Sequence, residues 1–316
     1  MINLKLGLAA LAVYLSLSQT GKVFLRKAFM RCRQIDKILG RLVPVNLRQV
    51  VYFLKILKLC DKVFSRQVSG RLCSDLERDK SAMYSRFVPY GFFSLLLWGK
   101  MLEAFNIPYE EEAQERCVLV AFAHREWDDL FDSSKYSFGD LVKAFDYQAV
   151  IPEQLFFLRQ LKQALEGLAS PERFGAYYQH MQGFDICRQI EYTREKAAIV
   201  LEEVAPFMAC IFIYAMVPEI PTKLKDSLPP VARWMYMLDG LADLEHDRFI
   251  NRVTYMAIVE DPEATMRKQS ELCRQLLLHN APNPDELNKF LDLVTSRVIN
   301  ARKNGVDIES VFFNAR

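Results

Sequence analysis

A chain of 316 residues, 51% hydrophobic and 25% charged, has the composition of a folded globular protein, which excludes a disordered chain. Its net charge of +2 conceals an asymmetry: residues 1–71 hold fourteen Lys/Arg against only Asp36 and Asp61, for +12, leaving −10 on the remainder. Twelve glycines without a Walker or G-x-G-x-x-G run make ATP and NAD poor guesses, and seven scattered cysteines with four isolated histidines argue against zinc and disulfide frameworks and for a reducing, cytoplasmic setting.

Along the chain the apolar period is helical and no strand alternation appears. Lys5 and Lys22 bracket sixteen uncharged residues containing the run Leu6 to Leu15, too short to span a bilayer. That run reads as a buried packing helix, a membrane-surface anchor or a cleaved signal, and the residues do not choose between them. Helices are expected at 5–18, 23–42, 46–67, 73–83, 87–104, 110–130, 138–146, 152–168, 171–200, 202–216, 228–259, 262–279 and 284–303. Pro and Asn clusters place loops at 43–46, 106–108, 217–221 and 280–284. Cations and apolar residues alternate at helical spacing in 24–33 and 51–59, as an interfacial helix requires. The same pattern arises when the apolar side packs on the protein and the cations face water. No repeat or long linker appears, so the expectation is an all-α, single-domain helical bundle. Its weakest boundary lies near residue 72, separating a basic segment 1–71, part of or packed on the core, from a catalytic domain 72–316. The basic segment suits peripheral contact with an anionic membrane; no nucleic-acid fold motif is present.

Two acidic patterns carry the chemistry. Between Trp234 and Met256, Asp239, Asp243, Asp247 and Asn251 recur every four residues, so on one continuous helix they form a polar strip along one side. Like charges at that spacing repel, and the apolar flanks Trp234, Met237, Leu238, Leu241, Leu244 and Phe249 crowd the same turns, which favours a cation-filled cavity over a solvated face. Upstream, the helix through Val118 and Phe122 ends in Asp128, Asp129 and Asp132, two of which share a face. Hard carboxylate oxygens on two facing helices suit magnesium, which takes few protein ligands and keeps places for water or phosphate oxygens.

With these motifs the chain resembles the class I isoprenoid (terpene) synthases, and within them the bacterial large-terpene synthases of the tetraprenyl-β-curcumene type. Asp128-Asp129-Leu130-Phe131-Asp132 looks like their first motif, and Asp239, Asp243 and Asp247, with Arg248 and Tyr255, like their second. Arg125 stands where that family has another Asp, and the glycine-bearing insertion after its second motif is absent. The segments typical of chain-elongating prenyl synthases are absent too, which favours cyclisation.

The resemblance implies a bundle of the isoprenoid synthase type with a central active-site cavity. It implies magnesium, three ions once diphosphate is bound, held by Asp128, Asp129, Asp132, Asp239, Asp243 and Asp247. It implies a prenyl diphosphate substrate of C20 or longer, with Arg194 contacting the diphosphate, Arg188 and Lys196 as alternatives, and Arg248, Asn251 and Tyr255 completing the site. The aromatic lining would come from Phe92, Phe93, Trp98, Phe122, Trp127, Phe207, Phe212, Tyr214, Trp234 and Tyr236, and a homodimer is compatible with it. The alternatives are a head-to-head prenyl transferase of the squalene or phytoene synthase type, and a non-catalytic helical scaffold associated with membrane.

Overall fold

The computed structural model describes residues 17–23, 47–69, 76–132, 201–202, 205–217, 219–249 and 254–305. Every regular element among them is helical: α1 (Leu47–Ser69), α2 (Leu76–Ala104), α3 (Glu111–Asp132), α4 (Ala205–Met216), α5 (Thr222–Ala242), α6 (Leu244–Phe249), α7 (Tyr255–Ile258), α8 (Pro262–Asn280) and α9 (Asp285–Lys303). Local chemistry sets many of the ends. Asp261 caps α8 by accepting the Ala264 N–H at 2.9 Å, with Pro262 beginning the helix. Glu111 and Glu112 sit in the first turn of α3, Asp285 and Glu286 in that of α9, where the positive end of the helix dipole favours acids. Asn106, between α2 and α3, takes a left-handed φ of 57°, which asparagine tolerates.

The helices close into a ring. α2 pairs with α3, α1 lies on both, α4 joins α3 to α5, and α8 and α9 pack on α5, with α9 returning to α2. One apolar core runs through all of them, from Leu17 and Phe64 through Trp98 and Phe122 to Trp234 and Val298. α2, α3, α4 and α5 alternate in direction along the chain, as do α8 and α9, while α1 runs parallel to α3. The short connections 105–110, 217–221 and 281–284 therefore fall at one end of the bundle, where Asn283 N–H reaches the Ala104 carbonyl at 2.9 Å. A polar chain ties α5, α8 and α9 and runs from the core to the surface: Trp234 Nε1 donates to Thr295 Oγ1 at 2.9 Å, Thr295 Oγ1 to Ser270 Oγ at 3.4 Å, and Ser270 Oγ to the exposed Asp292 at 3.2 Å.

Several expected elements change. The helices expected at 73–83 and 87–104 are one, with Pro89 inside it; burial of Tyr84, Phe87 and Val88 outweighs the roughly 3 kcal/mol that an interior proline costs. The helix expected to start at 228 starts at Thr222, so Pro229 and Pro230 lie inside rather than at its start. The carbonyls they leave without an N–H belong to Lys225 and Asp226, both exposed, where water can serve them. That helix also ends early, as described below. Residues 19–22, left between the expected helices 5–18 and 23–42, are helical with Val23, and the Ser18 hydroxyl accepts the Gly21 N–H at 3.0 Å. The helices expected at 23–42, 138–146, 152–168 and 171–200, nearly all of that at 5–18, the boundary near 72 and the segment 24–33 lie outside the described residues.

In α1 the apolar side of 51–59 packs on the protein, the second of the two arrangements its pattern allows. Its apolar side, Ile56, Leu57, Leu59, Cys60, Val63 and Phe64, is buried against α2 and α3. Its cations face outward: Lys62 bonds Glu111 at 2.7 Å and Arg66 bonds Glu115 at 2.9 Å, while Lys55 and Lys58 stay exposed. No described helix is long and apolar enough to cross a membrane.

Candidate functional site

Both acidic patterns sit at the C-terminal ends of helices, and the topology brings those ends to the same end of the bundle. Arg116 Nε of α3 donates to the Ala215 carbonyl of α4 at 2.7 Å, so α3 and α4 run antiparallel. The short turn 217–221 and the Arg233–Glu202 pair at 3.9 Å make α4 and α5 antiparallel as well. α3 and α5 are therefore parallel. The C-terminal ends of α3 and α5, which carry Asp132 and Asp239, therefore point the same way. This is the end opposite the Pro- and Asn-rich loops. The side chains of Asp128, Asp129 and Asp132 lie outside the described residues, and the statement concerns the helix that carries them.

The acids of α5 do not follow one straight strip. The helix ends at Ala242 and resumes as α6 at Leu244, with Asp243 as the cap between them at φ −89°, ψ 0°. Hydrogen bonding carries through the bend: Asp243 N–H reaches the Asp239 carbonyl at 3.0 Å, and Asp247 N–H reaches the Asp243 carbonyl at 2.9 Å. Asp239 is exposed, Asp243 half-buried and Asp247 only 3% exposed, so the series turns from the surface into the protein instead of staying on one face. Beyond the break Thr254 is extended at φ −103°, ψ 164°, so the expected continuous helix to residue 259 is corrected to three pieces. The cause is packing of α7 back on α5, where Gly240 leaves room: a Cβ there would meet Met256 Cγ at 3.2 Å. Asn251 lies outside the described residues.

Of the other expected site residues, two are described. Tyr255 begins α7, half-buried against the core. Arg248 is at the surface, 3.7 Å from Glu245, which also takes Arg302 at 3.0 Å. Arg188, Arg194 and Lys196 lie outside the described residues. Of the aromatic residues, Trp98 stacks on Phe212 at 5.7 Å, Phe122 packs edge-on against Phe64 and Phe87, and Trp234 bonds Thr295. All four are buried, so their place is in the packed core. Phe92 and Phe93 are half-buried against Phe53 and Phe290, Tyr214 and Tyr236 are half-buried, and Trp127 and Phe207 lie outside the described side chains.

Among the described residues no three His, Cys, Asp or Glu side chains gather closely enough to hold a metal ion by themselves. Magnesium commonly takes only one or two protein carboxylates and fills its other places with water or phosphate oxygens. Asp239 in the last turn of α5 and Asp243 at its C-terminal cap, with oxygen-only donors, are of the kind such a sparse site uses.

No family model, no curated protein and no solved structure matches the chain.

Beside these acids the structure shows groups that the sequence did not single out. On α3 the Arg125 guanidinium lies over the Tyr90 ring of α2, 5.1 Å from its centroid, and donates to the Tyr90 hydroxyl at 3.2 Å. Glu126 is buried. Desolvation, helped by the Arg125 cation, pushes His124 down from 6.5 to about 3, so its imidazole is neutral across the physiological range. Elsewhere Asp61, 5% exposed on α1, accepts the Ser18 N–H at 2.8 Å and the Ser18 hydroxyl, fastening residues 17–23 to the bundle. The only signal for it in sequence was that Asp61 is one of two acids in a basic segment.

Proposed function

We propose that this chain is a magnesium-dependent enzyme of the class I terpene synthase type, which ionises a prenyl diphosphate, C20 or longer, and cyclises or rearranges the carbocation with release of diphosphate. The observation that supports this best is the parallel arrangement of α3 and α5, with both acid-bearing ends at one end of the bundle. Carboxylates gathered at one end of the bundle repel one another, and a bound cation offsets that repulsion. Asp128, Asp129 and Asp132 on α3 and Asp239 and Asp243 on α5 would hold the metal. When bound, magnesium neutralises diphosphate oxygens as negative charge develops on the leaving group. The buried Asp247 would steady the bend at Asp243. A carbocation must meet no water, and apolar flanks such as Met237 and Leu238 on the same turns of α5 exclude it.

The test is incubation of the full chain with magnesium and prenyl diphosphates from C10 upward, following diphosphate release and product mass. Release with a product of single-chain mass is expected. Asp128→Asn and Asp243→Asn should each lower turnover by at least a hundredfold while leaving the helical circular dichroism signal unchanged. A product of doubled chain mass would indicate head-to-head coupling. Absence of release at every chain length would defeat the enzymatic reading and leave the scaffold.

A further inference from the structure

We propose that Arg248 and Arg302 form a binding site for a phosphate-bearing anion, which Glu245 occupies in the absence of ligand; the inference does not depend on the function proposed above. Arg248 lies on α6 and Arg302 in the last turn of α9, far apart in the chain, and only the fold brings them to one carboxylate. Arg302 Nη2 donates to Glu245 Oε1 at 3.0 Å, and Arg248 Nη1 lies 3.7 Å from the same atom. Two guanidinium groups thus converge on a single acid and keep one positive charge in excess. The neighbouring Lys303 is matched by Glu263 at 3.2 Å, so it leaves that excess unchanged. Asp247, beside Arg248 in the chain, is only 3% exposed and does not share the surface with the pair.

The arginines are poorly satisfied by the protein itself. The Arg302 side chain is 20% exposed, its Nε is buried without an acceptor, and among the described residues Glu245 is the one acceptor it reaches. A buried charged donor without a partner is costly, and a ligand with several oxygens relieves it better than one carboxylate. The carbonyls at the end of α9, ordinary acceptors for a basic side chain in a last turn, are taken instead by the N–H groups of Asn304 and Gly305 at 3.0 to 3.2 Å. Arg248 is 48% exposed, and among the described residues it has the 3.7 Å ion pair and no hydrogen bond. Glu245 is 72% exposed, and so open a carboxylate holds its cations weakly. The two planar forks suit phosphate oxygens, so a phosphate group takes both arginines while Glu245 turns to solvent.

The experiment measures binding of inorganic pyrophosphate to the full chain by calorimetry in chelator, so that no metal ion carries it, and flotation on phosphatidylcholine vesicles with and without phosphatidate. Wild type should bind at least one of the two probes. Arg302→Gln and Arg248→Gln should each weaken that binding at least tenfold. Glu245→Gln should tighten it three- to tenfold by removing the competing carboxylate, a gain that a purely structural ion bridge would not give, and it decides the matter should Arg302→Gln fail to fold. Pyrophosphate binding assigns a soluble phosphate ligand; binding to phosphatidate vesicles alone, lost in Arg302→Gln, assigns a lipid headgroup. Wild type that binds neither probe, Arg302→Gln within twofold of wild type, or Glu245→Gln no tighter than wild type overturns the site. Each of these results leaves the proposed function to its own test, diphosphate release with magnesium.

Discussion

Single residues here act through the space and solvation around them. Gly91 lies on α2 where α3 comes closest, and a Cβ would meet the Phe122 ring at 2.7 Å and Val118 at 3.1 Å. Alanine is the better helix former by about 1 kcal/mol, but overpacking two fully buried side chains costs about 1–3 kcal/mol. Gly91→Ala should therefore lower stability in chemical denaturation, and an unchanged midpoint would show that Phe122 moves aside freely. His124 gives a pH dependence. The unfolded chain takes up the proton near 6.5 and the folded one near 3, so between those values protonation favours unfolding. Its neutral state stabilises the fold fully above pH 6.5, and that stability falls as pH drops toward 3, by no more than about 1.4 kcal/mol per unit. His124→Gln should remove this slope from denaturation curves recorded between pH 7 and 4. A slope equal to that of wild type would place its origin elsewhere.

At the scale of elements, ends and crossings matter more than interiors. Asp261 accepts an otherwise unpaired N–H at the start of α8, so Asp261→Ala should cost about 1 kcal/mol, seen as a lower Tm. Trp234→Phe removes the Nε1–Thr295 bond and part of a fully buried ring, leaving a hydroxyl and a void between α5 and α9. A loss of about 2–4 kcal/mol is expected from the two effects together. An equal loss in the Thr295→Val variant, with no further loss in the double variant, would assign most of it to the hydrogen bond. Sequence reading succeeded where an element's limits are local. α1, α3, α8 and α9 lie within two residues of expectation because cap residues, acidic first turns and Pro or Asn loops mark them. It failed at Pro89, at Pro229 and Pro230, and at Asp243. In each of those places a contact with another helix, invisible in the local pattern, outweighed or supplied the helix-breaking signal.

For the whole molecule, the charge asymmetry of the first 71 residues has a structural answer only in part. The apolar side of α1 is spent inside the bundle, so contact with a membrane through α1 would be electrostatic, made by the exposed Lys55 and Lys58. Each cation near an anionic leaflet contributes about 1 kcal/mol. Binding to anionic vesicles in flotation should fall as salt rises and should weaken at least about thirtyfold in Lys55→Glu/Lys58→Glu. Salt-insensitive flotation would place the contact on an apolar surface instead. The sequence alone determined the helical class, the limits of α1, α3, α8 and α9 and the two sets of carboxylates, because periodicity, caps and composition are properties of neighbouring residues. Tertiary structure decided the rest. It turned the acid-bearing ends of α3 and α5 to the same end of the bundle by alternating helix direction, turned Asp247 inward through the bend at Asp243, placed Trp98 and Trp234 in the core, and set Tyr90 under Arg125. Each of these rests on contacts between helices distant in the chain, and no local pattern records which faces will meet.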